Sequence, residues 1–406
     1  MRSMPAPGTP HRAETLAVAG GRPQREHYLP YGRQDITDAD LEAVRRVLVS
    51  DFLTTGPAVG AFESDFSARI GVKHAVAVSN GTAALDVMLK AARLPHGSEV
   101  ITTPLTFVAT ANAILYNGAR PIFADIEADT LNVDPAKVAA CIGPKTKAII
   151  AVHFGGLPAS MRALRDLAED HGLMLFEDAA HALGGREDGR EVGSLGAAAT
   201  FSFHPVKHIT TGEGGMVTTD DGRMAERMRV LRSHGIAVTA DRRHGPSANH
   251  YYEMAELGHN FRLTDMQAAL GRSQLSRLGS NLARRRLLAA RYAARLPRDL
   301  WLPQASRPGM ENAFHLYAVR LGEGWKASRD EIFRAMRAEN IGVNVHYPPV
   351  HLHPYYRQHL GTAPGLCPIA EAVYPTLLSL PMFHGMADAD ADDVVAAASK
   401  VAHAYA

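Results

Sequence analysis

Cysteine is nearly absent: the 406 residues contain two, Cys141 and Cys367, far apart along the chain. Neither a disulfide framework nor a cysteine metal cluster can be built from them, and a reducing cytoplasm is the expected compartment. Excess charge is missing too, with 43 lysines and arginines against 42 acidic residues and a formal charge of +1. No global field attracts nucleic acid or an anionic membrane surface, so any anion has to be bound locally. No stretch approaches the roughly 20 apolar residues of a membrane span. The first residues, Met1-Arg-Ser-Met-Pro-Ala-Pro-Gly-Thr-Pro10, lack the apolar core of a secretory signal, so an intracellular protein is expected. HExxH, a P-loop lysine and GxSxG do not occur, which removes three competing chemistries. No metal site is expected.

The composition, 46% hydrophobic and 21% charged, is that of a folded enzyme, and the chain is too long for one simple core. Two domains are expected. Residues 1–27, rich in Pro, Gly, Ala and Arg and without a period, read as a disordered or loosely attached arm. Residues 28–275 follow as a large domain in which short apolar runs alternate with helical patterns. The runs are Ala75–Val78, Val100–Thr102, Pro121–Ala124, Ala148–Val152, Leu173–Phe176 and Ala199–Phe203. The amphipathic segments between them include Ala83–Ala92, Phe107–Tyr116 and Met161–His171. That order predicts an α/β fold, a mainly parallel sheet covered on both faces, with ligands beyond the carboxyl ends of its strands. Residues 276–406 read as a smaller α+β domain. It has strand patterns at Phe314–Leu321 and Val343–Tyr347, a capping box at Ser328-Arg-Asp-Glu331 and a terminal helix near Ala387–Ala402. The arginines of the stretch Asn281–Arg295 read as a solvated helix face with buried stems rather than as a nucleic-acid patch.

One lysine stands between an apolar strand and a glycine-rich turn, in Ala199-Thr-Phe-Ser-Phe-His-Pro-Val-Lys-His-Ile-Thr-Thr-Gly-Glu-Gly-Gly215. Lysines are mostly exposed, but a strand end opening into a tight turn can desolvate Lys207 enough to make it a nucleophile that forms Schiff bases. Three further strand ends support that reading. Val78-Ser-Asn-Gly-Thr-Ala-Ala-Leu85 puts a glycine turn before a helix start, a phosphate site made of backbone N–H groups and the Thr82 hydroxyl. Asp178 ends Leu173-Met-Leu-Phe-Glu-Asp178 and can pair with a protonated pyridine nitrogen, though a turn aspartate has the same look. Phe107 can stack on a flat ring or belong to the core. His181 shares a face with Asp178 if a helix begins there, and Ser202 can reach the same phosphate as the glycine turn. Lysine, aspartate, phosphate turn and aromatic together are what pyridoxal 5′-phosphate requires.

These segments, with Asp51-Phe-Leu-Thr-Thr-Gly-Pro57, Thr211-Gly-Glu-Gly-Gly215 and Leu257-Gly-His-Asn-Phe-Arg-Leu-Thr-Asp-Met-Gln-Ala-Ala-Leu270, resemble the DegT/StrS family of pyridoxal-phosphate-dependent sugar aminotransferases from about Tyr31 to the C-terminus. The resemblance implies the fold-type I transferase architecture, a seven-stranded sheet between helices plus a smaller C-terminal domain. It makes Lys207 the Schiff-base lysine, Asp178 the partner of the ring nitrogen, Phe107 the stacking aromatic and His181 the group near the phenolic oxygen. Gly81, Thr82, Ala83 and Ser202 fall on the phosphate cradle. Asn260 falls on a residue that reaches the phosphate of the other subunit, so a homodimer with shared active sites is implied. Lys207 is retained where some relatives carry histidine and act as dehydratases, and His208 stands where many relatives have asparagine. Asp51–Pro57, Ala151–Pro158 and Val345–Tyr356 are most similar to enzymes that aminate C4 of UDP-linked 4-keto-6-deoxy-N-acetylhexosamines toward pseudaminic acid, the UDP-4-amino-4,6-dideoxy-N-acetyl-β-L-altrosamine transaminases. The amine is expected to come from L-glutamate, and Thr55, His153, His346 and Tyr347 are candidate substrate contacts, the alternative for histidines and tyrosines near strand ends being a packing or hydrogen-bonding role. The alternatives are the same chemistry on another keto-sugar nucleotide or a keto-cyclitol, and a pyridoxal-phosphate-binding regulator without turnover.

Overall fold

The computed structural model describes residues 15–237 and 251–406. Seven strands, β1 (His74–Val78), β2 (Glu99–Thr102), β3 (Arg120–Phe123), β4 (Thr146–Val152), β5 (Met174–Asp178), β6 (Ala198–Ser202) and β7 (Gly215–Thr219), form one sheet in the order β1-β7-β6-β5-β4-β2-β3. The pairs from β6 to β3 are parallel, and β7 runs antiparallel to both its neighbours. Side-chain alternation explains why both faces are apolar. Ile149, Ala151 and Leu175 pack with Phe62, Phe66 and Leu164 on one side. Their chain neighbours Ala148, Ile150 and Phe176 pack with Leu85, Met88 and Ile114 on the other.

All six strands expected in the first 203 residues are present within a few residues of their expected bounds. β7 was not expected, because its apolar content is only Met216 and Val217 after a glycine turn. It is central nonetheless: the Thr218 and Thr219 hydroxyls donate to the Gly193 and Ala197 carbonyls at 2.8 and 2.7 Å, which lets polar side chains be buried there.

A second sheet is antiparallel, β8 (Trp301–Pro303), β9 (Tyr317–Leu321) and β10 (Leu377–Leu380), in that order. Helices Leu278–Arg295, Arg329–Ala338 and Asp388–Tyr405 supply Tyr292, Ile332, Met336, Val394 and Val401 to the core around Trp301 and Val319. The capping box at Ser328 forms, with the Ser328 and Glu331 side chains each bonded to the other's backbone N–H. Val343–Tyr347 is not a strand; only Asn344 bridges to Ser379. Of the helix arginines, Arg284 and Arg291 pair with Asp388 and Asp392 at 2.7 and 2.6 Å, so that face is tied to the terminal helix. Arg285 departs from the solvated reading: it is fully buried, its Nη1 donating to the Phe314 and Met382 carbonyls at 3.0 and 2.9 Å. No described helix is long and apolar enough to cross a membrane.

Residues 1–14 of the expected arm lie outside the described residues. Residues 15–27 are not loose, because a buried carboxylate organises them. Glu339, with no exposed surface, accepts the Ala17 and Gln24 N–H groups at 2.8 Å each and the Lys400 Nζ at 2.9 Å. Leu16 is buried in the core of the second sheet, and Arg25 pairs with Asp390 at 2.9 Å. Replacing Glu339 with alanine strands the Lys400 charge and two N–H donors, so a loss of about 3 kcal/mol is expected in urea unfolding. A midpoint unchanged from the parent protein would show that the segment contributes nothing.

Candidate active site

The carboxyl ends of β5 and β6 and the first turn of helix Gly81–Ala92 open into one cleft of about 1260 Å³. The strand order produces this: β5 and β6 are adjacent and parallel, so Asp178 and Ser202, the last residues of each, reach the same edge.

Lys207 follows β6 in a turn closed by its N–H on the His204 carbonyl, 2.9 Å. Its Nζ lies 3.4 Å from Nε2 of His315. Burial strips water from the ammonium and lowers its pKa from 10.5 to about 8, against the opposing pull of the Asp178 charge. A sizeable neutral fraction at ordinary pH makes the amine a nucleophile and a base.

Asp178 accepts the Thr110 hydroxyl at Oδ2, 2.7 Å, and the Ala180 N–H at Oδ1, 3.2 Å. Thr110 in turn sits 2.8 Å from the Thr106 hydroxyl. The carboxylate is oriented from one side and lines the cleft with the other. Gly81 has no room for a side chain, since a Cβ there would stand 2.9 Å from Cβ of Ser202. The Asn80 side chain caps the helix by accepting the Ala83 N–H at 2.8 Å. Gly81, Thr82, Ala83 and Ser202 therefore present a helix N-terminus and two hydroxyls to one end of the cleft, a geometry suited to an anion.

Phe107 is 57% exposed, so it belongs to the cleft wall and not to the core, with its ring 5.9 Å from that of Tyr347. His181 lies in a turn after β5 and not on a helix; the turn, closed by Ala182 N–H on Ala179 O, brings it to the same wall as Asp178. Its Nε2 is 3.1 Å from the Tyr347 hydroxyl. His346 is held by Ser379 at 2.9 Å, and burial with the nearby Lys207 charge pushes its pKa down to about 3, so it is neutral.

The cleft thus collects Lys207, Asp178, Gly81, Thr82, Ala83, Phe107, Ser202, His181, His346 and Tyr347. Three expected residues do not line it. His153 is fully buried behind the sheet edge; its Nδ1 accepts the Ala159 N–H at 3.0 Å, leaving Nε2 to donate to Glu177 at 3.0 Å. It serves a buried carboxylate that also accepts the Gly193, Leu195 and Gly196 N–H groups, and has no access to a substrate. Thr55 is exposed and lines a separate cavity of about 270 Å³ with Glu63, Arg229 and Arg232. Asn260 is exposed, and its neighbours His259 and Phe261 line the cleft while it does not.

Sequence reasoning missed Thr110, His315, Tyr31 and Asn344, all of which line the cleft. Thr110 had a signal, since it lies in the segment Phe107–Tyr116 already singled out, four residues after Thr106. His315 lay inside a run read only as a strand, and nothing in the spacing of Tyr31 or Asn344 marked them.

Comparison with known proteins agrees with this geometry. The model of the DegT/DnrJ/EryC1/StrS aminotransferase family matches residues 34–399. The spore coat polysaccharide biosynthesis protein SpsC of Bacillus subtilis is 43% identical over 378 residues, 92% of this chain and 97% of that protein. Helicobacter pylori PseC, an aminotransferase involved in pseudaminic acid biosynthesis, superposes with a TM-score of 0.88 at 30% identity, covering 94% of this chain and all of its own. The PLP-form of the putative sugar aminotransferase Spr1654 from Streptococcus pneumoniae gives 0.87 at 28% identity, covering 93% and 99%. The chain belongs to the DegT/DnrJ/EryC1/StrS family and is a sugar aminotransferase that uses pyridoxal phosphate.

Proposed function

We propose that the enzyme takes an amino group from L-glutamate and delivers it to a nucleotide-linked keto-deoxy sugar, at C4 of a UDP-4-keto-6-deoxy-N-acetylhexosamine, with Lys207 as its Schiff-base lysine. The observation that carries the reading is the shared edge itself: a desolvated lysine, an oriented carboxylate and a side-chain-free helix N-terminus line one cleft. Likeness to PseC supports the choice of sugar class.

Pyridoxal phosphate supplies an aldehyde for the lysine and a ring that takes up an electron pair. The residues fit it. Gly81, Thr82, Ala83 and Ser202 would hold its phosphate, at a place where a larger residue 81 would clash with Ser202. With the cofactor bound, Asp178 would keep a proton on the ring nitrogen, Phe107 would stack on the ring and His181 would serve the phenolic oxygen. Nζ of Lys207, neutral once free, removes the proton from the α-carbon of glutamate and, in the second half of the cycle, delivers one to the sugar carbon that receives the amine. His346 and Tyr347 line the wall beside it as substrate contacts. Residues 28–275 form the cofactor-binding part, and residues 276–406 the smaller part that supplies this wall. A homodimer completes the reading, with exposed Asn260 reaching the phosphate of the second subunit.

With glutamate as donor, kcat/KM for the UDP-4-keto-6-deoxy-N-acetylhexosamine should exceed that for other keto-sugar nucleotides and for keto-cyclitols by at least about tenfold. A keto-cyclitol or another nucleotide sugar that turns over faster overturns the acceptor.

A further inference from the structure

His315 has no task in the proposed function, yet among the described residues its Nε2 comes within hydrogen-bond reach of Nζ of Lys207, at 3.4 Å. It arrives from a different part of the chain, two residues before β9, and is only 4% exposed. The titratable and charged groups that act on it are Lys207, His181, His208 and Arg285. The His181 and His208 rings stand 4.3 and 5.8 Å away, and Arg285 Nη1 lies 3.4 Å from the His315 carbonyl. Burial is the largest cause and none of these groups is an anion, so His315 is held well below its ordinary value and stays neutral. Its Nδ1 is buried without a partner. Nε2 is therefore the ring atom through which it interacts, and a neutral imidazole carrying its proton on Nδ1 presents a lone pair there.

We propose that His315 is a positioning residue for Lys207: its neutral Nε2 accepts a hydrogen bond from Nζ and holds the amine in the cleft floor whenever the lysine is not covalently engaged. The inference rests on Lys207 being the Schiff-base lysine. A lysine has four rotatable side-chain bonds, and once released its amine must return to within reach of a single carbon. Burial removes the water that would otherwise accept from it, and His315 replaces that water with a fixed acceptor.

The test reads Lys207 directly. In the cofactor-free full-length protein, acetylation of Lys207 by acetic anhydride is followed by peptide mass spectrometry across pH. Only the neutral amine attacks, so the rate rises with pH through a midpoint at about 8. In H315F the ammonium loses its acceptor, the charged form is disfavoured further, and the midpoint falls by about one pH unit. H315Q, which cannot titrate but keeps an acceptor oxygen, stays within about 0.3 of the parent value. In the loaded enzyme H315F lowers kcat about tenfold and leaves KM for glutamate within about twofold. An unmoved midpoint in H315F, or an equal shift in H315Q, overturns the proposal. If H315F shows no cooperative unfolding transition, H315M takes its place with the same expectation. The acetylation profile does not depend on turnover, so its failure is separable from a failure of the Schiff-base assignment, which shows instead as amine transfer surviving the loss of Lys207.

Discussion

Replacing Lys207 with alanine should lower kcat for amine transfer by at least about 10⁴-fold and remove the absorbance of the lysine-linked cofactor. Two functions are lost together. Proton transfer by a positioned base is worth roughly 10²–10⁴, and the covalent attachment of the cofactor disappears as well. Lys207→Arg separates charge from chemistry. Arginine keeps the positive charge near Asp178 but stays protonated at any working pH, so this variant should be as inactive as the alanine one. The reason lies in the site: burial brings the lysine pKa to about 8, and a guanidinium cannot be brought there. A small primary amine added to the alanine variant should restore a measurable fraction of the rate, because the vacated space lies in an open cleft. Transfer at the parent rate in either variant would sink the assignment.

Much of this site was legible in the sequence, and the reason is topological. In a parallel sheet the residues at strand ends share one edge, so Asp178, Ser202, Lys207 and the Gly81 turn could be assembled without coordinates. The same logic failed for His153. It too follows a strand, β4, but its ring turns beneath the edge to Glu177, and a strand-end position does not say which way a loop side chain points. Thr55 and Asn260 rested on family likeness alone, and this chain's own cleft does not include them.

What remained hidden came from long-range packing. His315 and Asn344 enter the cleft from sequence more than 100 residues beyond Lys207, within stretches whose pattern says only apolar and extended. Residues 15–27 look like a tail because, with the residues before them, they are rich in Pro, Gly, Ala and Arg and show no period. Their anchor, Glu339, is more than 300 residues away, and no local pattern reveals that its carboxylate is buried and waiting for two backbone donors. β7 was missed for a related reason: threonines on a central strand look exposed until the carbonyls that accept their hydroxyls are known.

Asp178→Asn is the next most damaging single change expected, a loss of at least about 100-fold in kcat with a smaller loss of cofactor affinity. A hydrogen bond to a charged partner contributes about 1.5–3 kcal/mol, or roughly 10- to 150-fold, and the amide gives up both the charge and an acceptor. The second loss is specific to this site. Each carboxylate oxygen already accepts one protein hydrogen bond, from the Thr110 hydroxyl and from the Ala180 N–H. Asparagine has one acceptor oxygen, so one of those donors must face an NH2 group. Thr110→Val tests the same arrangement from behind. It removes only the donor that fixes Oδ2, and an effect of about tenfold is expected because the charge survives. Since Thr110 acts through Asp178, the two losses should not add: Thr110→Val in the Asp178→Asn background should cost less than about twofold. Full additivity in that cycle would mean that Thr110 touches the reaction by another route and that the orientation of Asp178 is set by Ala180 alone.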